Sequence, residues 1–174
     1  MADTIDEELH AQVKSIVDEL EAAASGSLYE VDGDWEVIDD VDEWKKEQYG
    51  KKAKELRKEH PEDSYDPEEH GFDTYEKWME DELGTADDVD DPDEVSLYEY
   101  IDKQSLGDVR FEVDSSKELH GGKVLFTFGG PNIWVADDEV RGYWGSSRVE
   151  MSLDSRTRSV LWSWFEEQWD VAKE

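Results

Sequence analysis

Residues 121–169, GGKVLFTFGGPNIWVADDEVRGYWGSSRVEMSLDSRTRSVLWSWFEEQW, most constrain what this chain can become. Apolar pattern, turn chemistry and helix signals all agree there. Val124, Phe126 and Phe128 alternate until Gly129-Gly130-Pro131-Asn132 breaks the run. Ile133-Trp134-Val135 resumes it, Asp137-Asp138 turns it, and Val140, Tyr143 and Trp144 continue. Short β-rich runs punctuated by Gly, Pro, Asn and Asp predict an antiparallel meander. A helix follows, with Asp154 or Ser155 as cap and Val160, Leu161, Trp164, Phe165 and Trp169 at helical spacing. Upstream, residues 108–114 open the sheet, with Val109, Phe111 and Val113 on one face and Asp108, Arg110 and Glu112 on the other. Residues 115–122 are expected to connect that strand to the meander. The expectation is an α+β fold, a small antiparallel β-meander packed against a C-terminal helix, with acidic N-terminal helices.

The N-terminal half supplies those helices. In residues 4–24, Ile5, Leu9, Val13, Ile16, Val17 and Leu20 make one apolar stripe, with Thr4 or Asp3 as cap and Ser25-Gly26-Ser27 as stop. The stripe is expected to pack on the core, the alternative being a dimer or partner helix. Asp32-Gly33 between Val31 and Trp35 predicts a short hairpin. Residues 44–60 read as a net-positive helix: Lys45, Lys46, Lys51, Lys52, Lys54, Arg57 and Lys58 oppose Glu47, Glu55 and Glu59. The acidic elements around it are expected to neutralise it. Pro61, Ser64, Pro67 and Gly71 mark residues 61–71 as a loop. Residues 73–83 predict a short helix with Tyr75, Trp78, Met79 and Leu83 inward. After the acidic run TADDVDDPDE, Pro92, Asp93 and Glu94 suit the first turn of a helix bearing Val95, Leu97, Tyr98 and Ile101 and ending near Gly107. The boundary is drawn at residue 95: 1–95 an acidic, mainly helical region, and 96–174 the α+β core.

Charge limits the functional classes. Forty-nine acids against eighteen bases leave a formal −31. Such a surface is repelled by nucleic acid and by anionic membrane, so neither is an expected direct partner. Proteins that bind nucleic acid are, because their basic grooves attract polyanions. The 174 residues suit one domain, or a domain with an arm, and eight Trp, seven Tyr and five Phe supply a core. There is no Cys, and no apolar run suits a signal peptide or membrane span, so a reducing cytoplasm is the expected location.

Catalytic chemistry is hard to find. His10, His60, His70 and His120 are scattered, and none falls in a metal-binding pair spacing. Gly121-Gly122 and Gly129-Gly130 read as turn glycines rather than a phosphate cradle, and no Gly-x-Ser-x-Gly elbow occurs. The acidic run 85–94 lacks the central Gly and terminal Glu of a calcium loop. The expectation is no enzyme, no cofactor and no metal. Trp134, Trp144, Trp162 and Trp164 are candidates for an exposed aromatic surface, with one of Trp162, Trp164 and Trp169 near the rim.

Acids three or four positions apart on a helix form an ordered anionic row, with Cβ atoms roughly 5–6 Å apart. Such rows can imitate duplex phosphates. The expected contact residues are Glu76, Glu80, Asp81 and Glu82; Asp87, Asp88, Asp90 and Asp91; and Asp39, Asp40, Asp42 and Glu43. In size, charge and aromatic-rich acidity the chain resembles the small phage- and plasmid-borne anti-restriction and anti-CRISPR proteins that act as DNA mimics. The GGPNIWV segment followed by YWG also resembles small acidic proteins of mobile elements. The resemblance is one of general character and assigns no residue roles. It implies an inhibitor in the host cytoplasm whose partner is a basic DNA-binding protein, such as a nuclease or CRISPR effector, with a homodimer as a further expectation. The alternatives are an immunity protein or adaptor using the Trp-rich surface, and an acidic domain adapted to high salt.

Overall fold

The computed structural model describes residues 2–104, 107–127 and 129–174, residues 2 and 3 by backbone alone. Phe128 therefore lies outside the described residues, as does the side chain of Asp3. The chain forms two compact units, Met1–Val37 with Glu94–Glu174, and Ile38–Asp93. Residue 95 is thus close to one edge of the helical unit, and the other edge is Ile38. The first helix belongs with the sheet because its apolar stripe packs there.

That helix, α1 (Ala2–Ser25), fully buries Leu9, Val13 and Leu20. It begins before Thr4, which sits in its first turn rather than capping it. Gly26 ends it at φ 79°, and the Ser27 N–H donates to the Ala22 carbonyl at 2.8 Å, satisfying a carbonyl that the helix leaves open. Strands β1 (Leu28–Val31) and β2 (Asp34–Val37) pair across Asp32-Gly33, whose φ values of 52° and 86° suit a two-residue hairpin turn. β3 (Asp93–Glu94) flanks β1 on its other side. This corrects the expectation of a helix starting at Pro92. The Val95 N–H donates to the Leu28 carbonyl at 2.8 Å, so the backbone stays extended. Helix α5 (Leu97–Asp102) begins only after Ser96, whose hydroxyl forms a capping box with Glu99, and it stops well short of Gly107.

The meander is a five-stranded antiparallel sheet in sequence order: β4 (Val109–Val113), β5 (Leu119–Thr127), β6 (Asn132–Ala136), β7 (Glu139–Trp144) and β8 (Ser147–Ser152). Three details depart from expectation. Residues 119–122 are strand, not connector, and β8 extends the sheet past Trp144 through a turn at Gly145, φ 62°. Val113 is 43% exposed because the register shifts between Glu112 and Val113. Gly121 and Gly122 are strand residues, and Gly122 is where Phe165 packs: a Cβ there would stand 2.4 Å from the ring. Gly142 does the same for α1, since its Cβ would lie 2.6 Å from Val13 and 2.8 Å from Leu9.

Helix α6 (Ser155–Ala172) is capped by Asp154, which accepts from the Thr157 N–H at 2.7 Å. Leu161, Trp164 and Phe165 are buried with Val124, Phe126, Ile133, Val135 and Val140. Helices α1 and α6 both pack on the sheet. The Trp residues do not gather into one surface. Trp144 packs against the core, Trp164 is inside it, and Trp169 meets Phe111 with ring centres 5.4 Å apart. Trp134 sits on the opposite sheet face from buried Ile133 and Val135.

The second unit contains α2 (Val41–Glu59), α3 (Pro67–His70) and α4 (Tyr75–Leu83), with 3₁₀ turns at Glu62–Ser64 and Ala86–Asp88. Residues 61–71 are therefore not a plain loop. Asp66 accepts from the Glu68 N–H at 2.9 Å and Pro67 opens α3, a favourable first helical position. Trp78, Met79 and Leu83 form the centre of this unit, packed by Tyr49, Ala53, Leu56, Tyr65, Phe72 and Tyr75. Two tyrosine hydroxyls fasten its connections, Tyr65 to the Phe72 carbonyl at 2.8 Å and Tyr75 to the His60 carbonyl at 2.7 Å.

Candidate functional site

Twenty-two acids and eight bases lie in the 38–93 unit, and all twelve expected contact residues are exposed there. Local structure explains their positions. Asp40 caps α2 by accepting from the Glu43 N–H at 3.0 Å, which leaves Asp42 and Glu43 in the first turn, favourable places for carboxylates. Thr74 caps α4, and burial of Trp78, Met79 and Leu83 turns Glu76, Glu80, Asp81 and Glu82 outward. After Gly84, at φ 64°, Asp88 accepts from the Thr85 N–H at 2.7 Å and its hydroxyl at 2.9 Å. Those two donors hold the Asp88 carboxyl below the usual carboxylate range.

Two of the three expected groups come together. Lys45 of α2 pairs with Asp91 at 2.7 Å. The hydrogen bond from Asp91 raises the Lys45 ammonium above its ordinary value, and the nearby charges of Asp91, Asp87 and Asp42 add to it. The start of α2 and the acidic run after α4 thus meet around one cation. On α4, Glu76 and Glu80 line a groove of about 390 Å³ with Arg57, Tyr49, Tyr75, Met79 and Leu83. Asp40, Asp88 and Asp91 are engaged locally, so among the described residues Asp39, Asp42, Glu43, Glu76, Glu80, Asp81, Glu82, Asp87 and Asp90 are the carboxylates of the set with no side-chain hydrogen bond and no ion pair within 4.0 Å.

Neutralisation of α2 is sparse. Among the described residues of this unit, the ion pairs within 4.0 Å are Lys45–Asp91 and Lys77–Asp73. Among the described residues, Lys46, Lys51, Lys54 and Lys58 stand along α2 without a carboxylate at that distance.

Sequence reasoning passed over a second constellation, on the other unit. Alternate residues of the five strands turn to the sheet face away from Val124, Val135 and Val140, among them Arg110, Lys123, Trp134, Arg141, Tyr143 and Arg148, with Glu112, Glu139 and Glu150 beside them. Register aligns Arg110 with Lys123, Trp134 with Arg141, and Tyr143 with Arg148. The Arg110 guanidinium lies 4.8 Å and the Lys123 ammonium 5.2 Å from the Trp134 ring centre, and Arg148 lies 5.6 Å from that of Tyr143. A cavity of about 230 Å³ opens between them. The available signal was the polar set of each alternating strand, read across strands instead of along one.

Metal ligation has one candidate group among the described residues: exposed Asp114, Glu118 and His120, with ligand atoms within 4.8 Å of one another. Asp114 already accepts from the Ser116 and Glu118 N–H groups at 2.8 and 2.9 Å and lies 3.2 Å from His120, so the trio is accounted for as a turn lock. His60 and His70, distant in sequence, gather around Trp78 with ring centres 5.3 and 4.7 Å from it. Among the described residues, no helix is long and apolar enough to cross a membrane. No family model, curated protein or solved structure matches this chain.

Proposed function

We propose that the protein is a non-enzymatic inhibitor that presents an anionic surface in place of DNA and occupies the basic groove of a restriction or CRISPR effector. The observation that supports this reading best is the convergence of Asp42, Asp87 and Asp91 around Lys45. Capped helices and a packed aromatic centre hold these acids, so their charge stands in a fixed arrangement rather than on a loose tail. A fixed anionic surface gains from a cationic groove twice, through steering of the encounter and through complementarity once docked. A duplex-binding groove supplies that complement, since it is built to neutralise rows of phosphates.

The test is capture of the effector on immobilised protein, elution by salt and competition by duplex DNA. The reading expects a nuclease or CRISPR subunit that salt releases and duplex displaces. A variant with Glu76→Lys, Glu80→Lys, Asp87→Lys and Asp90→Lys should lose capture and keep its melting temperature, because none of these four makes a cap or an ion pair within 4.0 Å. Undiminished capture by that variant sinks the assignment. A partner that resists salt and ignores DNA sinks the mimicry itself.

A further inference from the structure

From the face of the five-stranded sheet that gathers Trp134 and Tyr143 with four basic side chains we infer a binding site for unstacked nucleotide units, with bases on Trp134 and Tyr143 and phosphates on Arg110, Lys123 and Arg141. The site stands on different elements from the acidic unit and holds or fails independently of the inhibitor reading.

The face is where the chain's acidic excess is balanced: Glu112, Glu139 and Glu150 share it, and Asp108 pairs with Arg110, against four cations. Arg110, Lys123, Arg141 and Arg148 account for four of the nine bases in residues 94–174, brought onto one surface by strand register. At physiological salt, charges beyond about 8 Å are largely screened, so a ligand held here responds to the balanced charges of this face more than to the −31 of the whole chain. Lys123 meets no carboxylate within 4.0 Å among the described residues. The three arginines do have acidic partners: Arg110 with Asp108 at 2.8 Å, Arg141 with Glu139, and Arg148 with Glu150. The Arg110 and Arg148 pairs are the more exposed and Arg141–Glu139 is half-buried; exposed pairs are weak and exchange readily for a phosphate, which offers a guanidinium two oxygens.

Aromatic placement decides between anions. Trp134 and Tyr143 occupy neighbouring strands one diagonal step apart, since Trp134 aligns with Arg141 and Asn132 with Tyr143. Diagonal neighbours stand roughly 7–8 Å apart, which gives two platforms for two bases. Ala136, with its short side chain, leaves room for the cavity between the rings and the cations. A sheet that offers rings for stacking and cations for backbone is the physical pattern by which single strands are held. A duplex keeps its bases stacked and presents none to Trp134. A carboxylate-rich second copy of this chain would satisfy the cations but offer the two rings no base to stack on them.

The test measures anisotropy of a labelled hexanucleotide with the full chain at low salt, in DNA and RNA forms, beside a duplex and with a mononucleotide as competitor. The single strand should bind and the duplex should not. Trp134→Leu, which keeps apolar bulk without the indole π-face, should weaken binding about 5- to 100-fold. Arg110→Gln with Lys123→Gln should flatten the dependence of log K on log salt by about 1.4, at roughly 0.7 per phosphate contact on a single strand. The variants' melting curves confirm that they fold, and the four-charge reversal on α4 and the following turn should leave this binding in place. Competition by the mononucleotide at equal affinity supports the same site with a free nucleotide as its ligand. Absence of single-strand binding, duplex binding of equal strength, or binding unchanged in both sheet variants overturns the inference.

Discussion

Replacing Gly122 by alanine tests the packing of α6 on the sheet through a single added methyl. The new Cβ would lie 2.4, 2.6 and 2.9 Å from three carbons of the Phe165 ring, where carbon contacts settle near roughly 3.5–4.0 Å. Relief needs a movement of about 1 Å by a ring that is itself fully buried and packed edge-on against Trp164, 5.1 Å between centres. Overpacking of this sort costs about 1–3 kcal/mol. Loss of glycine's freedom in the unfolded chain returns about 0.4–1 kcal/mol. The net destabilisation is then about 1–2 kcal/mol, which in a chain of this size lowers the melting temperature by roughly 2–8 °C. Circular dichroism melts of Gly122→Ala and Gly130→Ala measure it side by side. Gly130 has open space around its missing Cβ and no positive φ, so its variant should melt like the parent. Phe165→Leu added to Gly122→Ala should cost less than the two changes summed, because the smaller side chain removes the clash. A Gly122→Ala protein that melts within 1 °C (about the error of a melt) of the parent refutes the reasoning.

Two further outcomes concern pH. Buried Tyr100 donates to Glu19 at 2.6 Å, and burial first, then that hydrogen bond and the Glu19 charge, push its hydroxyl well above the usual range. A raised value means stability is fully present below about pH 10 and is lost as pH rises above it. Tyr100→Phe should therefore be less stable than the parent by about 1–2 kcal/mol at pH 8. Above pH 10 the gap should narrow by about 1.4 kcal/mol per pH unit, and a gap independent of pH in urea titrations counts against this reading. Asp154 behaves in the opposite sense: the Thr157 N–H, its largest influence, holds the carboxyl below its ordinary value. Its contribution is present above about pH 4 and is lost as pH falls through the lowered value. Asp154→Ala should cost about 1 kcal/mol at pH 7, and a difference that persists undiminished at pH 2 would rule out the carboxylate cap as its source.

Much of the fold was legible because local signals coincided with burial. Leu9, Val13 and Leu20 share a helical stripe, and Val124 alternates with Lys123 and Leu125, so the core-facing residues could be named from spacing alone. Asp32-Gly33 and Asp154 announced a turn and a cap through chemistry confined to a few residues. Errors arose where a local signal competed with a distant one. Pro92-Asp93-Glu94 has the composition of a helix start, yet Leu28 draws the Val95 N–H into extended pairing. Gly121-Gly122 has the composition of a turn, yet lies within a strand because a helix more than forty residues later sets Phe165 against it.

The acids of the candidate site were visible one by one, and their exposure followed from where Trp78, Met79 and Leu83 had to face. Their convergence was not, because Asp42 and Asp87 meet around Lys45 only after the α4 segment has folded back along α2. The sheet's cluster of basic and aromatic side chains was hidden for a similar reason: Arg110, Lys123, Trp134 and Arg141 belong to four strands, and only hydrogen-bonded register places them side by side. By itself the sequence determined element types, the core-facing residues and an excess of negative charge, all of which depend on spacing within one segment. Tertiary structure alone decided which charges share a surface, since that depends on pairings between segments far apart in the chain.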